Sequence, residues 1–182
     1  MVLSLAPPSP LFDAHRRQLR EATRLGPLVD IACGRGRHAL AAARDGLRCL
    51  GVDRNAEHLA GLRATARAEG LAVEGVRADL EGAPRPPLRR DAFGAVLVFR
   101  YLHRPLLPEL AALLRPGGLL LYETFTLRQR ELGYGPRREE FLLREGELPA
   151  LFPSLRVVAH WEGLREGERP SWLSALAAMR PR

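Results

Sequence analysis

Lysine is absent from this sequence; all 28 basic residues are arginine. The absence excludes lysine Schiff-base catalysis and a P-loop whose lysine reaches phosphate groups. Total replacement of one cation by the other marks coding bias more than a binding design, so the net charge of +7 assigns no partner. The densest basic cluster, Arg16, Arg17, Arg20 and Arg24, is read as a solvated helix face in preference to a phosphate-binding stripe. Cysteine is scarce as well. Cys33 and Cys49 show no metal-ligand spacing, which excludes a disulfide scaffold and a zinc site, and no metal is expected. No apolar run approaches the roughly 20 residues of a membrane span. Met1–Pro10 has neither a basic n-region nor an apolar h-region, so no signal peptide is expected and the compartment is read as cytoplasmic.

What is present is globular: 46% hydrophobic and 27% charged residues. A chain of 182 residues buries roughly 70% of its unfolded surface as a single domain, here 1–182. Ser9-Pro10 and Gly26-Pro27 bracket one N-terminal helix within 1–26, with Phe12, His15, Leu19 and Ala22 on its packed face. His15 is read there as a packing residue. Strands are predicted from Leu28, over Leu47–Val52, Val73–Ala78, Phe93–Phe99 and Leu119–Thr124. Helices lie between them: one supplied by Ala39 and Ala41–Ala43 and ending at Asp45-Gly46, and others at 55–69 and 105–114. Pro84, Pro86 and Pro87 bar a helix from the loop 81–90, which crosses directly to the almost wholly apolar fourth strand. The alternation predicts a Rossmann-like, doubly wound α/β sheet with right-handed crossovers. Two more strands, Leu155–Trp161 and Trp172–Met179, are joined by a loop alone, so the last is antiparallel and the sheet has seven strands. The segment 126–150 is too long for a plain connection and is expected to act as a lid.

Ligands in such sheets bind at the carboxyl ends of the strands. Asp30, Asp53 and Asp79 are placed there, and Gly34 and Gly36 form a turn where backbone meets ligand directly. Gly34-Arg35-Gly36-Arg37-His38-Ala39 satisfies the dinucleotide fingerprint, with Asp53 17 residues past Gly36, so by pattern alone NAD is open. Asp30 argues against a pyrophosphate. At about 6 Å and an effective dielectric near 20, each like-charge pair costs roughly 3 kcal/mol. The cationic ammonium and sulfonium of S-adenosylmethionine meet no such penalty.

Val29 to Gly36, Asp53, Asp79-Leu80 and Arg115-Pro116-Gly117-Gly118 together resemble the class I S-adenosylmethionine-dependent methyltransferases over residues 28–124. The resemblance implies that Asp53 holds the ribose diol and that Asp79 and the Leu80 N–H read the adenine. It puts Gly34 and Gly36 against the methionine part, with Asp30 near its ammonium. Ala32, Arg54 and Phe99 complete the expected cofactor contacts; Ala32 stands where that family usually carries its first glycine. Phe99 to Leu106, Tyr122 to Phe125, Phe141 to Leu143 and Gly146 to Leu148 resemble small bacterial methyltransferases of the tellurite-resistance-like group. The chain departs from that group at 137–140, where an Asn-Pro pair is expected.

Tyr101, His103 and Glu123 leave the ends of the fourth and fifth strands and are the candidate catalytic residues, His103 as base or substrate orienter. Arg100 and Arg104 are candidates for binding an anionic substrate; His38 is read mainly as loop lining. The favoured reading is methyl transfer to a small-molecule nucleophile such as a thiol or metalloid oxyanion. A nucleic-acid methyltransferase is the alternative. Against it, the fourth strand ends without Asn/Asp-Pro-Pro-aromatic, and no basic stripe interleaves with aromatics. An NAD-binding Rossmann protein is the third reading. The oligomeric state and the acceptor are not assigned.

Overall fold

Side chains alternate across a strand, and this alternation decides what each face of the sheet carries. In a computed structural model describing residues 5–82 and 85–182, seven strands lie in the order β3-β2-β1-β4-β5-β7-β6. They are β1 (Leu28–Ile31), β2 (Cys49–Asp53), β3 (Val73–Arg77), β4 (Phe93–Phe99), β5 (Leu114–Phe125), β6 (Arg156–Arg165) and β7 (Ser171–Met179). The first five are mutually parallel; β7 runs antiparallel to both β5 and β6. This is the expected mostly parallel, doubly wound sheet. On β1, β4 and β5, Leu28, Ala95, Leu97, Phe99, Leu119 and Leu121 pack on one face with α3 (Arg37–Arg44) and α4 (Ala56–Glu69). Val29, Ile31, Val96, Val98, Leu120 and Tyr122 pack on the other with α5 (Leu107–Leu113) and α6 (Glu147–Ala150). Every residue of β4 is buried, as its apolar run requires of a central strand.

Several ends shift by one or two residues from the sequence reading, and three differences are larger. The N-terminal helix is two, α1 (Pro10–Ala14) and α2 (Arg16–Ala22), broken at His15. His15 Nδ1 bonds the Leu11 carbonyl at 2.8 Å, so the His15 N–H turns to Phe12 O instead. The ring is otherwise buried, as a packing residue should be. β5 starts at Leu114, because Pro116-Gly117-Gly118 forms an irregularity inside the strand and not a stop before it. A Cβ on Gly118 would lie 2.9 Å from Gly94 O, so only glycine passes there. β6 extends to Arg165, four residues beyond the predicted end, which carries the sheet's edge up to the carboxyl ends of β4 and β5.

The described residues of the loop 81–90 form bends and no helix; Pro84 lies outside them, as do residues 1–4 of the opening segment. Among the described residues no helix is long and apolar enough to cross a membrane. The segment 126–150 is anchored in the body at Leu142, Leu143 and Leu148, all 0% exposed, and Thr126 bridges Leu143.

Candidate functional site

The glycine turn is built from two glycines doing different work. Gly36 has φ +81, and a Cβ there would stand 2.2 Å from Leu62 Cδ1, so any other residue would strain the turn and displace Leu62 of α4. At Gly34, φ is +56 and a Cβ would meet nothing within 4 Å, so there the glycine serves the left-handed turn and no close packing contact. Ala32, where a glycine is expected, is left-handed too, at φ 53. That conformation costs an L-residue roughly 1–2 kcal/mol, which explains why glycine suits the position.

Beside the turn is a cleft of about 250 Å³ lined by Ala32, Asp53, Arg54, Ala78, Asp79, Leu80, Glu81, Arg100 and Tyr101. Asp53 ends β2. Its Oδ2 accepts the Gly34 N–H at 2.7 Å and its Oδ1 the Asn55 N–H at 2.8 Å, so the carboxylate is fixed in aim while keeping lone pairs for a ligand. Asp79 Oδ1 accepts from Glu81 N at 3.0 Å. The Tyr101 hydroxyl is buried without a partner, and burial with Glu81 and Asp79 nearby pushes the phenol up, so it stays protonated.

A larger chamber of about 690 Å³ lies on the other side of Arg100, walled by residues from 6–10, the end of β5, the 126–150 segment and the β6–β7 loop. Glu123, fully buried, sits in its wall. The Ser9 hydroxyl donates to Glu123 Oε2 at 2.6 Å, while Arg100 Nε and Arg165 Nη2 stand 3.7 and 3.6 Å from its two oxygens. The Arg100 N–H donates to the Glu123 carbonyl at 2.7 Å, tying the ends of β4 and β5 together.

The structure therefore brings seven of the nominated residues into one cleft: Ala32, Asp53, Arg54, Asp79, Leu80, Arg100 and Tyr101. Others lie elsewhere. Asp30 is 2% exposed and shares the face of Leu28, beneath α3, where its Oδ2 accepts the Ala39 N–H at 3.1 Å. Burial pushes its carboxyl up to about 7, so the charge argument against pyrophosphate built on Asp30 does not hold. The carboxylates facing the cleft are Asp53, Asp79 and Glu81. Phe99, on that same inner face, stacks on His38 at 3.6 Å between centroids and does not line the cleft. His38 Nε2 accepts the Ser9 N–H at 3.1 Å, and burial with Arg37 and Arg100 nearby drives it down to about 2, leaving a neutral structural ring. His103 lines neither cavity. Arg104 donates twice to Glu147, at 2.9 and 2.8 Å, and also to the Glu140 and Leu142 carbonyls, so its fork is spent holding the 139–147 segment. Sequence reasoning missed Glu81 in the cleft and Arg37, Gln129, Arg165 and Arg169 in the chamber. The last two belong to Arg165-Glu166-Gly167-Glu168-Arg169, whose dense charge was the available signal.

An acidic cleft thus lies at the ends of β1–β4 of a Rossmann-like sheet, beside the glycine turn, where ligands of such sheets bind. A family model described as a methyltransferase domain matches residues 28–118, half of the chain, which therefore belongs to the methyltransferase-domain family and uses S-adenosylmethionine. No curated protein matches the sequence. Among solved structures, TehB from Haemophilus influenzae is similar at a TM-score of 0.71 and 17% identity, over 90% of this chain; the chain spans 62% of TehB. A SAM-dependent methyltransferase from Methanosarcina mazei is similar at 0.74 and 17% identity, covering 97% of this chain and 99% of that one. Geranyl diphosphate C-methyltransferase from Streptomyces coelicolor, solved with Mg2+, geranyl diphosphate and S-adenosyl-L-homocysteine, gives 0.66 and 18% over 92% and 80%. At these identities the likeness is one of fold. Neither Gly34 nor Gly36 lines the cleft, but the residues that do fit the cofactor: Asp53 and Asp79 offer acceptors and the Tyr101 hydroxyl is unmet.

Proposed function

We propose that this enzyme methylates a small molecule, holding the cofactor in the cleft of Asp53 and Asp79 and the acceptor in the chamber beside it. One observation carries the reading: Arg100 lines both cavities, so the two ligands would meet at the end of β4. The chamber volume falls within the range of small-ligand pockets, roughly 300–1,000 Å³. The cofactor, when bound, supplies an electrophilic methyl group on a sulfonium. Asp53 would take the ribose diol, Asp79 and the Leu80 N–H the adenine, with Arg54 and Ala32 along the cleft and Gly34 under the methionine part.

The chain's contribution to the transfer is positioning, a source of roughly 7–11 kcal/mol when reacting atoms are aligned in a dry pocket. Tyr101, protonated, would orient by donation. Glu123, accepting from the Ser9 hydroxyl and standing between two guanidiniums, would hold Arg100 and Arg165 in place. The 126–150 segment, through Gln129, Tyr134 and Pro136, would close the chamber over the acceptor. The tellurite-resistance-like grouping is supported by the C-terminal motifs and the TehB fold, and we assign the enzyme to the cytoplasm.

The test is a labelled methyl-transfer screen over thiols, organic acids, amines and RNA, with calorimetry of S-adenosylhomocysteine. Asp53→Ala should weaken S-adenosylhomocysteine about ten- to hundredfold through the lost charged hydrogen bonds, without unfolding the chain. Unchanged affinity, or transfer to RNA alone with steep salt dependence, would overturn the reading.

A further inference from the structure

Two arginine–glutamate contacts in this chain differ in finish. Arg104 meets Glu147 with two hydrogen bonds and spends its remaining donors on carbonyls. Arg100 and Arg165 stop at 3.7 and 3.6 Å from Glu123, beyond hydrogen-bond reach. Arg100 Nη1, Arg165 Nε and Glu123 Oε1 are buried with no partner, and Glu123 is 0% exposed. Structural ion pairs in protein interiors satisfy their donors. Here one carboxylate stands between two guanidiniums, and Arg37 and Arg169 add two more to the same chamber against only Glu168.

The guanidiniums are also pre-positioned. Arg100 lies over the Phe125 ring at 4.6 Å, Arg165 over Trp161 at 4.5 Å and Arg169 over Tyr134 at 4.9 Å. A stacked guanidinium keeps its face covered and its N–H edge available for the planar fork an oxyanion accepts. Burial pushes the Arg100 guanidinium down; Glu123 opposes this, and Arg37 and Arg165 add to it. Pro7, Pro8, Phe125 and Pro136 give the rest of the wall apolar stretches, between the polar Ser9, Gln129 and Ser171, and the volume is far more than a bare inorganic oxyanion fills.

We propose that the methyl acceptor is an organic acid, an apolar body with a carboxylate or phosphate head, and that Arg100 and Arg165 grip the head. The proposal rests on the chamber being the acceptor site. Calorimetry on the full chain with benzoate, phenyl phosphate and neutral benzamide tests it, with S-adenosylhomocysteine titrated into the same samples. Benzoate or phenyl phosphate should bind saturably and benzamide should not; which of the two binds more tightly tells carboxylate from phosphate. Arg165→Gln should weaken the bound anion about ten- to hundredfold, one charge-assisted hydrogen bond, and leave S-adenosylhomocysteine unchanged. Arg165→Lys, which keeps the charge but not the fork, should fall between. Benzamide binding as well as benzoate, neither anion binding, or an Arg165→Gln protein with undiminished affinity would overturn the proposal. Failure of S-adenosylhomocysteine to bind would instead overturn the cofactor reading, whatever the anions do.

Discussion

Asp30→Asn should remove a pH-dependent cost from the fold. The carboxyl is 2% exposed, and burial raises it from 3.8 to about 7, with the Ala39 N–H and Arg37 only partly opposing. The folded protein therefore holds this proton more tightly than the unfolded chain. The stability it confers is complete below about pH 4 and is lost as pH rises through 7. Each pH unit between those two values is worth about 1 kcal/mol or somewhat more, so from pH 5 to pH 8 the loss is about 2–3 kcal/mol. For a domain of this size that lowers Tm by about 5–10 °C. Asparagine keeps an oxygen for the Ala39 N–H and does not titrate, so its own packing cost is the same at both pH values. Thermal unfolding followed by circular dichroism at pH 5 and pH 8, at fixed ionic strength, should show the wild type losing more than the variant by that amount. Equal losses in the two proteins would refute a raised Asp30.

The two glycines of the turn should separate stability from binding. Gly36→Ala drives a Cβ into Leu62 at positive φ and should cost about 2–4 kcal/mol in urea unfolding. Gly34→Ala should cost only about 1 kcal/mol of strain but weaken S-adenosylhomocysteine measurably in calorimetry, since its Cβ enters the open side of the turn; a reversed pattern would mean the cleft side is misassigned. Arg104→Ala should destabilise by about 1–3 kcal/mol, leaving the Glu140 and Leu142 carbonyls and Glu147 short of donors. Benzoate affinity should stay intact in that variant, the opposite of Arg165→Gln.

How much of this was readable from sequence depends on the range of the cause. β4 was readable because an almost wholly apolar run of strand length, following a proline-rich loop, reads as a strand covered on both faces. Asp53 was readable because an acid closing an apolar run falls at a strand end, and β2 does end there. Asp30 was not, because it is the third residue of a strand ending at Ile31, and alternation turns it under α3. Arg100 and Arg104 looked alike as neighbours in sequence. One faces two cavities and the other is consumed by Glu147, 43 residues away, which no local pattern contains. Arg165 reaches Glu123 only because β7 returns between β5 and β6, so its place follows from strand order and not from its own surroundings in the chain.

Arg100 concentrates what distinguishes this site from its fold. Among the described residues it is one of three non-glycine positions at positive φ, at 61°, a conformation glycine would adopt without the roughly 1–2 kcal/mol that an L-residue carries there. Ala32 pays the same strain with no side-chain chemistry, so strain alone assigns no role. At Arg100 the side chain is used: its guanidinium lies over Phe125, faces Glu123 and borders both cavities, while its N–H holds the Glu123 carbonyl at 2.7 Å. The left-handed backbone turns the chain at the end of β4 so that one residue can bind β5 through its backbone and present a cation between the two cavities. A glycine would keep the turn and lose the cation. The strain at this position is therefore best understood as the cost of placing positive charge where cofactor and acceptor would meet.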